Sequence, residues 1–399
     1  MELLLANSAQ TLHAADVPGA VAPGLYVHVP FCFHKCHYCD FYSITRQTPD
    51  RMARFVDLVL AEADQWVRSP VQVVPTTVFF GGGTPSLLPL SEMRRLLHGL
   101  KERFDFSHLN EWTVEVNPAT AELDYCQMLR ESGVDRLSFG AQSFDPTELK
   151  LLERHHDPAD VPRSVNIARR AGFSRINLDL IYAIPGQDLA SWSRSLEAAV
   201  ALGTPHLSCY GLTYEPNTAM TVRKRLGHFT AAEDSLELSM LRYARGRLAR
   251  QGMSAYEISN YAIPGEACRH NLLYWTGGNY IGLGPSAASH VEGWRWKNRP
   301  HLGEWERAVA GGELPAADLE RLTPEQRRGE WVMLRLRLAE GVDFAAYADR
   351  WGVDARGEYA GELAHLAELG LIEISDARFA LSDPGLAVAD AVASEFLRV

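Results

Sequence analysis

The chain is 399 residues long, 46% hydrophobic, and carries a formal net charge of −11 at pH 7. That length suits one large domain with a smaller companion and a sizeable buried core. The acidic balance argues against a broad nucleic-acid-binding face, which is ordinarily basic, and pairs such as Arg169–Arg170 and Arg327–Arg328 read as solvated helix faces. No apolar run approaches the roughly 20 residues that a membrane span needs, so no transmembrane segment is expected.

The opening MELLLANSAQTLHAA has an apolar patch but no basic region before it, which disfavours a secretory signal. Residues 1–22 are expected to form a loosely ordered leader. Strands are predicted at Leu25–Val29, Thr77–Phe80, Trp112–Val116, Arg136–Phe139, Ile176–Ile181 and His206–Tyr210. Between the first two, Phe55, Leu58, Val59, Ala63 and Trp66 recur at steps of three and four, the buried stripe of a helix. Helices are also predicted over Ser91–Arg103, Ala121–Ser132, Pro158–Ala171 and Leu189–Leu202. This alternation gives an α/β class with a parallel sheet and right-handed crossovers, either an open barrel or a doubly wound sheet. The core domain is expected over residues 23–304. Past residue 305, helices around Pro324–Leu338 and Gly361–Leu369 precede the short strands LIEIS and ARFALS, a smaller α+β module of winged-helix character over 305–399.

The chemistry-bearing signals sit just after predicted strands, where parallel α/β folds build their sites. In YVHVPFCFHKCHYCDFY, Cys32, Cys36 and Cys39 are spaced C-x3-C-x2-C. Three thiolates on one loop can hold three corners of an iron–sulfur cube and leave the fourth iron open. A zinc site completed by His34 or His37 is the competing reading. Phe31, Phe33, Tyr38 and Phe41 are expected to wall such a centre from water. The other cysteines, Cys126, Cys209 and Cys268, are scattered; no secreted disulfide framework emerges, and a reducing cytoplasm fits better. Gly81-Gly82-Gly83-Thr84-Pro85 follows the second strand and would let backbone approach a ligand closely. Glu115, Gln142, Arg154 and Asp179 complete a polar ring on later strand ends and loops.

The cysteine loop, read with the glycine turn, closely resembles the radical S-adenosylmethionine (SAM) superfamily in its coproporphyrinogen-oxidase-like branch. The resemblance runs from about residue 24 to the end. It implies a partial (β/α)6 barrel, a [4Fe-4S] cluster on Cys32, Cys36 and Cys39, and SAM chelated at the open iron. There SAM is cleaved to methionine and a 5′-deoxyadenosyl radical. It further implies SAM contacts from Tyr26, Tyr38, Gly82, Gly83, Thr84, Glu115, Gln142, Arg154 and Asp179. Two departures stand out: Glu153 replaces the glycine of the branch's L-G-R-x-H pattern, and Ala183 replaces a common glycine before I-P-G-Q.

Residues 268–275, CRHNLLYW, combine an imidazole and a thiol with aromatic rings that could cover a porphyrin face. The residues alone fit better a loop in which His270 and Asn271 hydrogen-bond locally while Tyr274 and Trp275 fill the core. HNxxYW resembles the signature of the branch's haem-chaperone members, which implies haem contacts from His270, Asn271, Tyr274 and Trp275, with Cys268 a rival ligand. Decarboxylase members carry a further cysteine two residues past the third, where this chain has Phe41, and a longer N-terminal extension. The resemblance therefore implies a cytoplasmic haem chaperone. Its partners would be haem and haem-accepting proteins, membrane-associated respiratory enzymes among them. The alternative is an oxygen-independent porphyrinogen decarboxylase.

Overall fold

The computed structural model describes residues 12–398, which form two compact units. The first holds residues up to 32, then 42–110 and 278–321; the second holds 33–41, 111–277 and the chain from 322 onward.

In the first unit β1 (Val21–Val29) leads through α1 (Pro49–Val67) to β2 (Gln72–Gly82), followed by α2 (Leu90–Arg103). β1 and β2 pair in parallel, with Tyr26 opposite Phe79 and Val29 opposite Gly82. The Thr48 hydroxyl accepts the Arg51 amide and Pro49 opens the first turn, so α1 starts where an N-cap and a proline both favour it. Its buried stripe is Phe55, Val59, Ala63 and Trp66, as the spacing predicts. On the other edge of β1 the strand Tyr280–Leu283 is also parallel. Antiparallel strands Ala288–Val291, Trp294–Asn298 and Ala316–Arg321 continue from it.

Glu62 of α1 ties this unit together. Its carboxylate accepts hydrogen bonds from the Gly284 amide at 2.8 Å, the Asn298 side-chain amide at 2.6 Å and the Trp305 indole at 3.0 Å.

The second unit runs β3 (Glu111–Val116), α3 (Leu123–Glu131), β4 (Arg136–Gln142), α4 (Pro146–Leu151), α5 (Asp160–Arg170), β5 (Arg175–Tyr182), α6 (Leu189–Ala201) and β6 (His206–Gly211). These four strands are parallel in that order, and Asn260–Ala262 lies antiparallel against β6. Parallel pairing gathers Glu111, Arg136, Arg175 and His206 at the strands' N-terminal ends. It gathers Glu115, Gln142 and Asp179 toward the C-terminal ends. The same unit's C-terminal part packs Trp331, Tyr347, Tyr359, Phe379 and Phe396 into a core of its own. The short strands Val342–Asp343, Ile372–Ile374 and Arg378–Leu381 form an antiparallel sheet beside it.

All six predicted parallel strands are present, each extended by up to five residues at an end. Residues 1–11 of the expected leader lie outside the described residues. Residues 12–22, however, carry a 3-10 turn at Ala14–Asp16 and the start of β1, and they bury Leu12, Ala14 and Val17, because those apolar side chains find a packing partner. Trp305, held by Glu62, and Ala316–Arg321, paired with Trp294–Asn298, belong to the first unit, which runs to residue 321.

Glu62→Ala would leave the Gly284 amide and the Trp305 indole without an acceptor and take one of two acceptors from the Asn298 amide, and a destabilisation of about 3 kcal/mol is expected in chemical denaturation.

Candidate cofactor site

In the first unit, the end of β1 and the glycine turn are stapled by backbone. The Gly83 amide donates to the Val29 carbonyl at 2.8 Å and the Thr84 amide to the Phe31 carbonyl at 2.7 Å. Cys32 donates its amide to Ile44, and its sulfur lies 3.6 Å from the Thr84 hydroxyl. Gly82 has φ +99°, and a Cβ there would meet the His28 ring at 2.4 Å. A Cβ on Gly83 would stand 2.7 Å from the carbonyl oxygens of Val29 and Phe31. Both glycines are therefore required by the fold itself, before any ligand is considered.

His28, which the sequence reading passed over, organises this corner. Its Nε2 lies 2.8 Å from the Tyr42 carbonyl, which only accepts, so Nε2 carries the proton. Nδ1 then accepts from the Tyr26 hydroxyl at 3.1 Å. Burial pushes the imidazole pKa down to about 4, so the ring stays neutral in this role.

In the second unit, segment 33–41 carries Cys36, Tyr38 and Cys39, and a turn joins the Cys39 amide to the Cys36 carbonyl. Arg154 points at this segment, with Nη1 3.7 Å from the Cys36 sulfur, and donates through Nη2 to the Gly140 carbonyl at 2.7 Å. Its Nε is buried with no hydrogen-bond partner. Tyr38 packs against Leu152, Ile181, Ile184, Leu212 and Met220. Its phenol is raised well above its usual pKa by burial, against the pull of Arg154. The expected aromatic wall is only partly built: Phe31 and Tyr38 pack inward, whereas Phe33 and Phe41 are 66% and 61% exposed.

Asp179, near the end of β5, accepts from Ser138 at 2.9 Å and Asn177 at 2.8 Å, and burial raises its carboxyl above the usual range. Glu115 is half-buried on β3. Gln142 ends β4 in the left-handed region at φ +62°, beside a register shift against β5. Left-handed backbone recurs at both departures from the branch pattern, Glu153 (φ +55°) and Ala183 (φ +59°). A glycine takes that conformation without strain, which is the physical reason the pattern has glycine there.

Glu153 also answers the zinc alternative. His37 Nδ1 lies 2.8 Å from an Arg223 guanidinium nitrogen, which only donates, so Nδ1 accepts and Nε2 bears the proton. That Nε2 faces Glu153 Oε1 at 3.3 Å, and His34 Nε2 lies 2.5 Å from Oε2. Both nitrogens of His37, and the Nε2 of His34, are engaged. Among the described residues, no three His, Cys, Asp or Glu side chains close on a point as ligands of a single ion do.

Segment 268–275 lies at the opposite ends of the strands. Glu111, the first residue of β3, is fully buried; it accepts the amides of Arg269 and His270 at 3.1 Å each and faces the Cys268 thiol at 3.3 Å. Arg175 supplies the countercharge at 2.7 Å. Burial alone would raise the Glu111 carboxyl, but Arg136, the two amides and Arg175 together hold it below its usual range. Cys268 is pushed up to about 12 by burial and by Glu111, and it is a thiol rather than a thiolate. His270, 1% exposed and pushed down to about 4 by burial, pairs its Nε2 with the Tyr274 hydroxyl at 2.8 Å. Asn271, Tyr274 and Trp275 are half-exposed, and Arg337 lies over the Trp275 ring at 4.8 Å. Cys268 and His270 thus hold the loop, with Tyr274 tied to His270. Glu111 carried no sequence signal beyond opening a strand.

Parallel α/β units with a three-cysteine loop after the first strand and a glycine turn after the second define a class, the radical SAM proteins. The Radical SAM superfamily model matches residues 26–199, and the HemN C-terminal domain model matches residues 322–388. The heme chaperone HemW of Mycobacterium tuberculosis (strain ATCC 25618 / H37Rv) is 35% identical over 390 residues, covering 96% of each chain. That of Bacillus subtilis (strain 168) is 33% identical, covering 93% of this chain and 98% of its own. The chain belongs to the HemW family. Coproporphyrinogen III oxidase (HemN) from Escherichia coli superposes with a TM-score of 0.82 at 24% identity, over 96% of this chain and 92% of that one; this likeness shows the shared fold.

The radical SAM family implies a [4Fe-4S] cluster and SAM, and the residues present fit both. None of the three loop cysteines is tied up in a disulfide, Cys32 lies beside a hydroxyl and Cys36 beside a guanidinium donor, and the buried Nε of Arg154 lacks a hydrogen-bond partner among the described residues.

Two outcomes follow from this geometry. Gly83→Ala should lower the yield of folded protein, checked by circular dichroism, because its Cβ would meet two backbone carbonyls; lost SAM binding in that variant reports on the fold. For His270, a depressed folded pKa means its contribution is fully present above the unfolded value of 6.5 and is lost as pH falls toward 4. In denaturant titrations of cluster-free protein, the stability gap between wild type and His270→Gln should narrow by about 2 kcal/mol from pH 7.5 to 5.0.

Proposed function

We propose that this protein is a cytoplasmic haem chaperone that carries a [4Fe-4S] cluster and SAM, binds haem along residues 271–275, and hands it to haem-accepting proteins. Membrane-associated respiratory enzymes are the recipients we favour. No helix among the described residues is long and apolar enough to cross a membrane, so delivery to such recipients would be made from outside the bilayer.

The observation that carries the reading is the placement of segment 268–275. It hangs on Glu111 at the start of β3, while Glu115, Gln142 and Asp179 lie toward the far ends of the parallel strands. Four residues of strand separate Glu111 from Glu115, about 13 Å. A porphyrin held by that segment would be anchored from the strands' N-terminal ends, whereas SAM is proposed at their C-terminal ends. Holding and passing on a ligand fits that separation; abstracting hydrogen from it does not. End-to-end similarity to relatives named heme chaperones points the same way.

When bound, the cluster and SAM would supply one-electron chemistry. The chain's own residues would hold Cys32 beside Thr84, shield the buried side of the loop with Tyr38, and offer Arg154 and Asp179 to SAM.

Anaerobically reconstituted protein should take up haem stoichiometrically, followed by its Soret band, and should yield no protoporphyrinogen IX from coproporphyrinogen III and SAM. Trp275→Leu should weaken haem binding about tenfold, the loss of one aromatic platform. Turnover of coproporphyrinogen III would reverse the assignment in favour of the decarboxylase.

A further inference from the structure

Glu153 occupies a position where the backbone resists it. At φ +55° a non-glycine residue is strained by about 1 kcal/mol or more, and that strain persists only where the surroundings hold it. What holds it here is the cysteine loop. His34 and His37 both present Nε2 to this one carboxylate, at 2.5 and 3.3 Å. Either side of His37 is anchored as well: its amide donates to the Leu152 carbonyl at 3.3 Å, and its own carbonyl accepts the Met220 amide at 2.8 Å. Arg223 fixes the second ring nitrogen, and Arg154, the next residue along, reaches the Cys36 sulfur. The two histidines flank Cys36, two residues before and one after, and His37 stands two before Cys39.

We propose that Glu153 is a positioning residue for the cysteine loop: its carboxylate clamps His34 and His37, and through them sets Cys36 and Cys39, in exchange for the conformational ease a glycine would give. The clamp belongs to this chain, because a glycine at 153 has no side chain to make it. It acts on the loop whether or not a cluster is bound, and its bearing on the cluster rests on reading that loop as the cluster loop.

Glu153→Gly separates strain from clamp, because glycine relaxes the backbone while removing both contacts. In cluster-free protein, the thermal midpoint should equal or exceed that of wild type, while hydrogen–deuterium exchange across residues 33–41 accelerates. In the reconstituted protein, loss of the brown absorbance in the presence of a chelator should quicken about tenfold. The electron paramagnetic resonance signal of the reduced, SAM-bound form should broaden. Glu153→Gln, which keeps one acceptor oxygen, should fall between. Unchanged exchange over residues 33–41 in Glu153→Gly would overturn the clamp, and so would faster exchange accompanied by an equal loss of global stability. A wild type that assembles no cluster would instead end the cluster reading, with the exchange result still deciding the clamp.

Discussion

A buried carboxylate with nowhere to lose its charge constrains the second unit more than any other group. Desolvating Glu111 would cost several kcal/mol if it stood alone, so the fold must bring cations and amides to it. Arg175 answers, and is itself shared with Asp135 and Glu266 at 2.7 and 3.1 Å. Arg136, 1% exposed, adds charge and donates to the Glu266 carbonyl. The consequence is geometric. The starts of β3, β4 and β5 are drawn to one ionic knot, and the loop leading into Arg269–Trp275 is fastened to it by its own amides. A helix of that length has little stability by itself; it is formed because its first N–H groups have an acceptor waiting.

The sheet was legible because its strands are short runs dominated by β-branched and other apolar residues, broken only by single polar ones. Ile176–Ile181 and Trp112–Val116 could hardly be anything else. The cysteine loop and the glycine turn were legible for a different reason: their residue types are rare and their spacing is local. What stayed hidden was long-range. Nothing in EWTVEV marks its first glutamate as the anchor of a segment more than 150 residues later, and nothing in YVHVP marks His28 as the ring that a Cβ at Gly82 would strike. The short antiparallel strands after Gly278 escaped because runs of four to six residues such as ASHV, WRWKN and AADLER carry no clear period. Trp305, too, looks like the start of a helical module until its indole is seen on Glu62.

Residues that break a pattern proved as informative as those that keep it. Glu153 and Ala183 were visible as departures, but only the backbone explains them, since both stand at positive φ together with Gln142. Gln142 and Ala183 lie at or just beyond strand ends and Glu153 follows α4, all on loops around the proposed cofactor site. Strained backbone at such places is kept when neighbouring contacts over-determine it. For Glu153 those contacts can be named. Ala183, in contrast, has only a methyl group to offer, and the tight turn closed by Ile184 and Gln187 holds it in place.

The distance between the two candidate ligand regions then acquires a physical meaning. They are not joined by open space but by a run of buried hydrogen bonds along the strands. Asp179 accepts from Asn177 at 2.8 Å. The Asn177 carbonyl accepts from His206 Nδ1 at 2.6 Å, and His206 Nε2 takes the Tyr256 hydroxyl at 3.0 Å. Tyr256 in turn accepts the Cys268 amide at 3.3 Å. His206 serves both neighbours only as a neutral ring, and burial holds its pKa well below the usual value. A polar chain satisfied at each link tolerates one arrangement and penalises its neighbours. The strands therefore act as a fixed spacer, holding segment 268–275 at one end and Asp179 at the other. On the proposed reading, a haem held by that segment is kept from SAM by the same interactions that build the sheet, so the separation is a property of the fold and not of a loop that could close over it.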